Sequence, residues 1–134
     1  MTIDSNKALV RDFFARMNAA DLPGALAMLD ASATWRIPGD PALIRTAGVH
    51  DRASITKLLT YMQSRMPGGL HFTVSSLTCE DDRVSAEVEG EGTLDNGRRY
   101  NNWYHFLFTV RDGRVHEVHE YLDTQLVVSA WLTP

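Results

Sequence analysis

The chain has 134 residues, 44% hydrophobic and 22% charged, which suits one globular domain over 1–134 and leaves little material for a second core. A net charge of −4, with eleven arginines and two lysines scattered rather than clustered, argues against a nucleic-acid partner. No apolar run of about 18 residues exists, so no membrane span is expected, and the start MTIDSNKALV lacks the basic-then-apolar order of a secretory signal.

Leu9, Val10, Phe13, Phe14 and Met17 recur at helical spacing and predict a first helix behind a cap at Asp4 or Ser5, closed by Asn18-Ala-Ala-Asp21. Asp21 caps a second, short helix with Pro23 in its first turn and Leu22, Leu26 and Leu29 on its apolar face. Ala33-Thr-Trp-Arg-Ile37 reads as a short strand stopped by Pro38-Gly39. Pro38, Gly39, Pro41 and Gly48 mark residues 38–50 as a loop. Asp51 begins a third helix with Ile55, Leu58, Leu59, Met62 and Met66 as its stripe, ended by Pro67-Gly-Gly69. There the period changes from near four to two, and strands are predicted at about 70–79, 83–94, 98–110 and 114–123. Their turns are Asp81-Asp82, Asp95-Asn96-Gly97 and Arg111-Asp112-Gly113. The last two are hairpin signals, because Asn-Gly and Asp-Gly supply positive φ. The tail from Thr124 to Pro134, with Leu126, Val127, Val128, Trp131 and Leu132, reads as a short docked helix or an arm.

Helices followed by a meander of long antiparallel strands give an α+β fold. The sheet has to bury one face, and a strongly curved sheet wrapped over three N-terminal helices leaves an apolar cone suited to a small-molecule ligand. Cys79, alone in the chain, excludes an internal disulfide and a cysteine-based metal site. It reads as a packing residue, and a reducing cytoplasm is the expected setting.

The order of elements resembles the nuclear-transport-factor-like superfamily and, within it, the SnoaL-like proteins. The carrying residues are Arg11-Asp-Phe-Phe-Ala-Arg-Met-Asn-Ala-Ala-Asp21, Ala33-Thr-Trp35, Gly97-Arg-Arg-Tyr-Asn-Asn102, Tyr104-His-Phe106, Asp112-Gly-Arg-Val115 and Glu120-Tyr-Leu-Asp123. The resemblance implies a cone-shaped fold, and the family spans isomerases, cyclases, dehydratases, epoxide hydrolases and non-enzymes. Ketosteroid isomerases share the frame and use a helix-1 tyrosine, a carboxylate base on the first strand and an acid donor on the third long strand. By resemblance those places fall on Phe13, Ile37 and Tyr104, of which only Tyr104 carries a hydroxyl. Limonene epoxide hydrolases use an arginine and two aspartates on inner strand positions. Those places fall on Glu87, Glu89 and Glu120, so a glutamate replaces the arginine and two carboxylates remain.

Hairpin register decides which side chains face the cone, since a one-residue slip swaps the faces. If Asn96-Gly97 is a two-residue turn, Glu89 lies opposite Tyr104 and shares a face with Asn102, Tyr104, Phe106 and Phe108. If Asp95-Asn96-Gly97 is a three-residue loop, Val88 and Ala86 take those places and the glutamates point out. The resemblance favours the inward reading. For the last hairpin, a three-residue loop at Arg111-Asp112-Gly113 sets Glu120 opposite Tyr104 with Val118 and Leu122 inward. A two-residue turn sets His119, Tyr121 and Asp123 there instead. Val118 and Leu122 fit an inner wall better than His119 does, which supports Glu120 inside.

The expected site therefore has Glu120 as acid or base, Glu89 as its partner carboxylate and Tyr104 as hydrogen-bond donor. Asn102 assists with a ligand oxygen, Trp35 stacks on a flat ring, Phe13, Phe106, Val118 and Leu122 form the wall, and His50 overhangs it. Burial raises a carboxylate's pKa toward the range useful for proton transfer. No histidine pair has helix metal-motif spacing, and neither a metal nor a cofactor is expected. The readings are a cofactor-independent isomerase, cyclase or dehydratase acting on an apolar oxygenated substrate, an epoxide hydrolase, or a binding module without chemistry. Trp103, His105 and Leu107 then point outward, and pairing of two such faces in a homodimer covers them.

Overall fold

The computed structural model describes residues 2–134. Helix α1 spans Ile3–Asn18 and is capped by Thr2, whose hydroxyl accepts the Ser5 N–H while the Ser5 hydroxyl accepts the Thr2 N–H. Ser5 is thus the far half of a capping box and not the cap itself, so the helix starts earlier than predicted. Helix α2, Leu22–Leu26, is capped by Asp21, which accepts the Gly24 N–H at 3.0 Å. Strand β1, Leu29–Ile37, is longer than the predicted segment, and Leu29 belongs to it rather than to α2. Residues 38–50, predicted as loop, contain most of a four-residue strand, β2, Gly48–Asp51, antiparallel to β1. Helix α3, Arg52–Arg65, is capped by Asp51 as predicted.

Strands β3 (His71–Glu80), β4 (Arg83–Thr93), β5 (Arg99–Arg111) and β6 (Arg114–Leu122) follow within a residue or so of the predicted spans. The tail docks as a short helix α4, Thr124–Val127, and a π-helical turn, Val128–Leu132, that buries Ala130 and Trp131. The six strands form one open sheet in the order β2-β1-β6-β5-β4-β3. All neighbours are antiparallel except β1 and β6, which run parallel. Its inner face carries Trp35, Val84, Ala86, Val88, Phe106, Phe108 and Val118, all buried, against Val10, Phe13 and Phe14 of α1 and Ile55 of α3. Asn18 ties the end of α1 to β3 by exchanging both hydrogen bonds with the Phe72 backbone, at 2.7 and 2.8 Å.

The β4–β5 hairpin closes with Thr93 opposite Arg99 and the Leu94 N–H on the Arg98 carbonyl, leaving Asp95-Asn96-Gly97 as a three-residue loop with Gly97 at φ +86°. Val88 therefore faces Tyr104 and Ala86 faces Phe106. Glu89 pairs with Trp103 and Glu87 with His105 on the outer face, which corrects the expectation that Glu89 joins the site. Val84, Ala86 and Val88 are wholly buried, and the opposite register would exchange them for a row of carboxylates with no cation to pair them.

The β5–β6 hairpin reaches its register by a different route. Arg111 pairs with Arg114, so Asp112-Gly113 is a two-residue turn with φ of 52° and 72° at its centre, the type I′ pattern. That turn alone would point His119 and Tyr121 inward. The ladder then shifts between Val110–Val115 and Thr109–Glu117, leaving His116 as the extra residue of a bulge. The bulge restores the inward facing of Val118, Glu120 and Leu122, but sets Glu120 opposite Phe106 and Leu122 opposite Tyr104, one step from the predicted pairing. Deleting His116 is expected to cost at least ~3 kcal/mol by turning the Val118 stripe outward. His116→Ala, which keeps the chain count, should leave the urea midpoint nearly unchanged, and equal losses in the two variants would reject the bulge as the register device.

Candidate active site

Between the concave sheet, α1, α3 and the tail lies a cavity of about 80 Å³ with almost wholly apolar walls. Phe13, Trp35, Phe72 and Phe106 supply its aromatic side, Leu58 and Met62 its α3 side, and Val127, Trp131 and Leu132 its tail side. Met17, Leu59, Met62, Leu70 and Phe72 also wall a second cavity of about 410 Å³, which opens past Asn18, Gln63 and His71. The outer cavity falls within the ~300–1,000 Å³ of ordinary small-molecule sites and the inner one below it. Methionines stand in the partition, and their unbranched side chains rearrange at little cost.

Polar side chains interrupt the inner apolar wall: Glu120, Tyr104 and Tyr100 from the sheet, with Tyr61 from α3 and Thr46 and Thr124 elsewhere in the lining. Glu120 is mostly screened from solvent, and its Oε1 accepts the indole N–H of Trp35 at 3.1 Å. Burial pushes its carboxyl up to about 7, against the opposing pull of the Trp35 hydrogen bond. Tyr104 lies flat on Phe106, ring centroids 5.1 Å apart at 9°, and over Gly90, where a Cβ would come within 2.8 Å of its ring. The glycine leaves room for the tyrosine. Burial, then the neighbouring Tyr100 and Glu120, hold the Tyr104 hydroxyl well above its ordinary pKa, and burial raises Tyr100 to about 12. Both phenols are neutral donors at any ordinary pH.

Of the predicted residues, Glu120, Tyr104, Trp35, Phe13, Phe106 and Leu122 come together around the cavity. Val118 faces the same way but is packed against Phe108 in the core, outside the lining. Asn102 is fully buried, and its amide is consumed by the Tyr100 hydroxyl and by backbone groups of Trp103 and Asp123, so it is not a direct ligand contact. His50 sits on β2 with its ring nitrogens on Ser54 Oγ and the Thr46 carbonyl, at 2.7 and 2.8 Å, and pins the preceding loop to α3 instead of overhanging the cavity. Glu89 accepts from Asn101 at 3.1 Å, and Glu87 from Ser76 at 3.2 Å, both away from Glu120. The carboxylate pair of the epoxide-hydrolase arrangement is therefore not assembled. Among the described residues no three His, Cys, Asp or Glu side chains are grouped to hold a metal ion. Tyr100 was missed, although it continues the inward stripe Asn102, Tyr104, Phe106 by one step. The tail's contribution, above all Trp131, had no sequence signal beyond its apolar content.

An open, curved sheet closed over helices around an apolar interior, with one carboxylate and a pair of phenols inside, defines a cone-shaped α+β protein of the nuclear-transport-factor-like type. The SnoaL-like domain profile matches residues 10–118, and the chain belongs to that family. No curated protein sequence matches it. Among solved structures it is similar to an NTF2-like protein of Burkholderia xenovorans LB400, with 28% identity, a TM-score of 0.75 and coverage of 97% of this chain and 98% of that one. Bal32a, from a soil-derived mobile gene cassette, aligns with 23% identity and a TM-score of 0.84 over 96% of this chain and 98% of that one. TerC, co-crystallised with polyporic acid, aligns with 19% identity and a TM-score of 0.82 over 96% and 99%. None of the described helices is long and apolar enough to cross a membrane.

The raised Glu120 pKa has a stability consequence of definite sign. The folded chain holds this proton up to about pH 7, whereas an unfolded chain releases it near the ordinary value of 4.5. Stability therefore falls as pH rises between those two values and levels off above them. Glu120→Gln removes the effect and is expected to stabilise the domain by about 1–3 kcal/mol at pH 8 and by little at pH 5. Urea denaturation at the two pH values measures the difference; an equal effect at both would place the Glu120 carboxyl in an ordinary solvated setting.

Proposed function

We propose that this chain binds an apolar, oxygen-bearing small molecule against its concave face and moves a proton on it, in an isomerisation, cyclisation or dehydration. The observation that carries the reading is Glu120: the one carboxylate in an aromatic cavity, held by Trp35 and lifted to about 7. At neutral pH such a group is present in both forms, so it takes a proton from carbon and returns it without a large penalty either way. Tyr104, a neutral donor two ladder positions away, receives the charge that gathers on the ligand oxygen. Membership of the SnoaL-like family and the co-crystallisation of TerC with polyporic acid are in keeping with a small-molecule ligand. Water addition to an epoxide by paired carboxylates is not favoured, because Glu87 and Glu89 occupy the other face.

The reading predicts catalysed exchange of α-hydrogens when a panel of cyclic ketones is incubated with the protein in D₂O and followed by NMR. The rate should rise with pH as Glu120 ionises around 7 and fall at least ~100-fold in Glu120→Gln. Exchange that persists in the variant would remove Glu120 from the chemistry, and tight binding with no exchange would leave a ligand-binding module.

The outer sheet face bears on assembly. Trp103 is 60% and Tyr121 50% exposed there, beside His105 and Leu107, with Glu87, Glu89 and Glu91 on β4, Arg99 on β5, bonded to Glu91 of its own chain at 2.8 Å, and His119 on β6. A two-fold axis through this face sets the acids of one copy against the bases of the other and covers the indole, and we propose a homodimer on it. Light scattering should give a two-chain mass that Trp103→Glu reduces to one. A monomeric wild-type mass at micromolar concentration would contradict it.

A further inference from the structure

We infer that Tyr100 and Asn102 are positioning residues that fix the Tyr104 hydroxyl as a one-way donor into the cavity, so that this end of the site takes a carbonyl-type ligand oxygen. The inference rests on the reading of the cavity as a ligand site and deepens it by naming the polarity of the ligand.

Several backbone groups around Asn102 have a fixed hydrogen-bond sign. Asn102 Oδ1 accepts the backbone N–H groups of Trp103, at 2.8 Å, and Asp123, at 3.3 Å, which can only donate. Its Nδ2 faces the Asp123 carbonyl at 3.0 Å, which can only accept. The amide has one possible orientation. Its second N–H then donates to the Tyr100 hydroxyl at 3.0 Å. Tyr100 lies 2.6 Å from the Tyr104 hydroxyl, and one of the two phenols must donate to the other. The Tyr100 oxygen already accepts from Asn102 and faces the Trp131 indole N–H, so its acceptor sites are taken up and its own hydrogen remains to be placed, whereas Tyr104 has no other donor on its oxygen among the described residues. Tyr100 spends that hydrogen on Tyr104, and a Tyr104 oxygen that accepts there turns its own hydrogen elsewhere, which in this position is the cavity. A phenol that accepts one hydrogen bond is a better donor of the next.

A second group points the same way. Trp131 is buried, packs edge-on against Tyr100 with centroids 5.7 Å apart and turns its indole N–H toward the Tyr100 hydroxyl, while its side chain lines the cavity. The tyrosine end of the cavity therefore presents the Tyr104 O–H as a donor. A ketone oxygen accepts it without loss, whereas a ligand hydroxyl also has to turn its own hydrogen to another group of the lining, such as the Thr124 hydroxyl. The carboxyl of Glu120 stands at the other end, where it accepts from Trp35. The site thus distinguishes the two ends of an oxygenated apolar molecule.

The test compares cyclohexanone with methylenecyclohexane, in which CH₂ replaces the oxygen, by titration of the intrinsic tryptophan fluorescence. The ratio of the two dissociation constants in Tyr104→Phe sets the baseline. Wild type is expected to favour the ketone by roughly tenfold over that baseline, and Tyr100→Phe to lose roughly fivefold of the preference while keeping Tyr104. If Tyr104 instead donated to Tyr100, Tyr100→Phe would release its hydrogen and the preference would rise; a rise, or no change, overturns the inference. Should Tyr100→Phe fail to fold, the carbonyl stretch of bound ¹³C-cyclohexanone in wild type decides: a shift to lower frequency than in hexane, lost in Tyr104→Phe, supports the donor, and an unshifted band overturns it. Equal binding of both probes leaves the ligand site standing and removes the directed donor. Binding of neither removes both.

Discussion

One extra residue in β6 sets what the interior of this protein contains. The Asp112-Gly113 turn and the straight ladder that follows it would bring His119 and Tyr121 under the helices; the bulge at His116 turns the strand by one position and brings Val118, Glu120 and Leu122 there. Burying Val118 completely and Leu122 in part recovers on the order of 1.5–3 kcal/mol for each fully buried side chain. That gain is accompanied by the penalty of placing a carboxyl group between Trp35 and Phe106. The raised pKa of Glu120 is the expression of that penalty, and the indole hydrogen bond relieves only part of it. An acid held at a cost to stability inside the fold is the feature on which the proposed chemistry rests.

The cavity depends equally on elements far apart in sequence. Gly90 on β4 gives Tyr104 on β5 the space to lie flat, and Asn102 joins β5 to the start of the tail through Asp123. Arg98 then holds the tail itself, donating to the carbonyls of Ser129, Ala130, Thr133 and Pro134 at 2.6–3.4 Å. With the last turn of the tail fixed in this way, Trp131 packs on Tyr100 and Leu132 closes the wall. The inner cavity is small in this arrangement, and the larger one lies across the shared wall of Met17 and Met62.

Periodicity carried most of the fold into the sequence. The helical stripe of Val10, Phe13 and Phe14, the caps at Asp21 and Asp51, and the alternation of Tyr104, Phe106 and Phe108 are local patterns that packing did not override. What local pattern did not contain was parity. The β4–β5 loop could be two or three residues by composition, and the choice falls to the core that prefers Val84, Ala86 and Val88 over Ser85, Glu87 and Glu89. The inward face of β6 was legible from Val118 and Leu122, but the two-residue turn and compensating bulge behind it were not, because a bulge has no residue signature at His116. The short strand β2 was hidden by the glycines and prolines around it, and the role of Asn102 by the fact that its partners are backbone groups of a distant turn.

The placement of Tyr104 and Glu120 constrains the chemistry further. Phe106 pairs with Glu120 and Leu122 with Tyr104, so the phenol and the carboxyl are diagonal neighbours on the same face of adjacent strands. Diagonal positions in an antiparallel ladder stand roughly 7–8 Å apart. No hydrogen bond joins the two groups, since Tyr104 is bonded to Tyr100 and Glu120 to Trp35, and the spacing suits the two or three atoms that separate a carbonyl oxygen from the carbon whose proton is acidic. The stacked rings of Tyr104 and Phe106 form an aromatic floor beside them, a surface on which a flat fragment would stack in the proposed complex. In the proposed reaction, loss of a proton toward Glu120 would leave the charge delocalised onto the oxygen at Tyr104, which the low-polarity walls make more responsive to a single good donor than water would. The same geometry would return the proton to a different atom within reach of Glu120. One carboxyl and one donor on a largely apolar face is what isomerisation, cyclisation and dehydration have in common, so under the proposed function the shape of the outer cavity would be the element that selects the substrate.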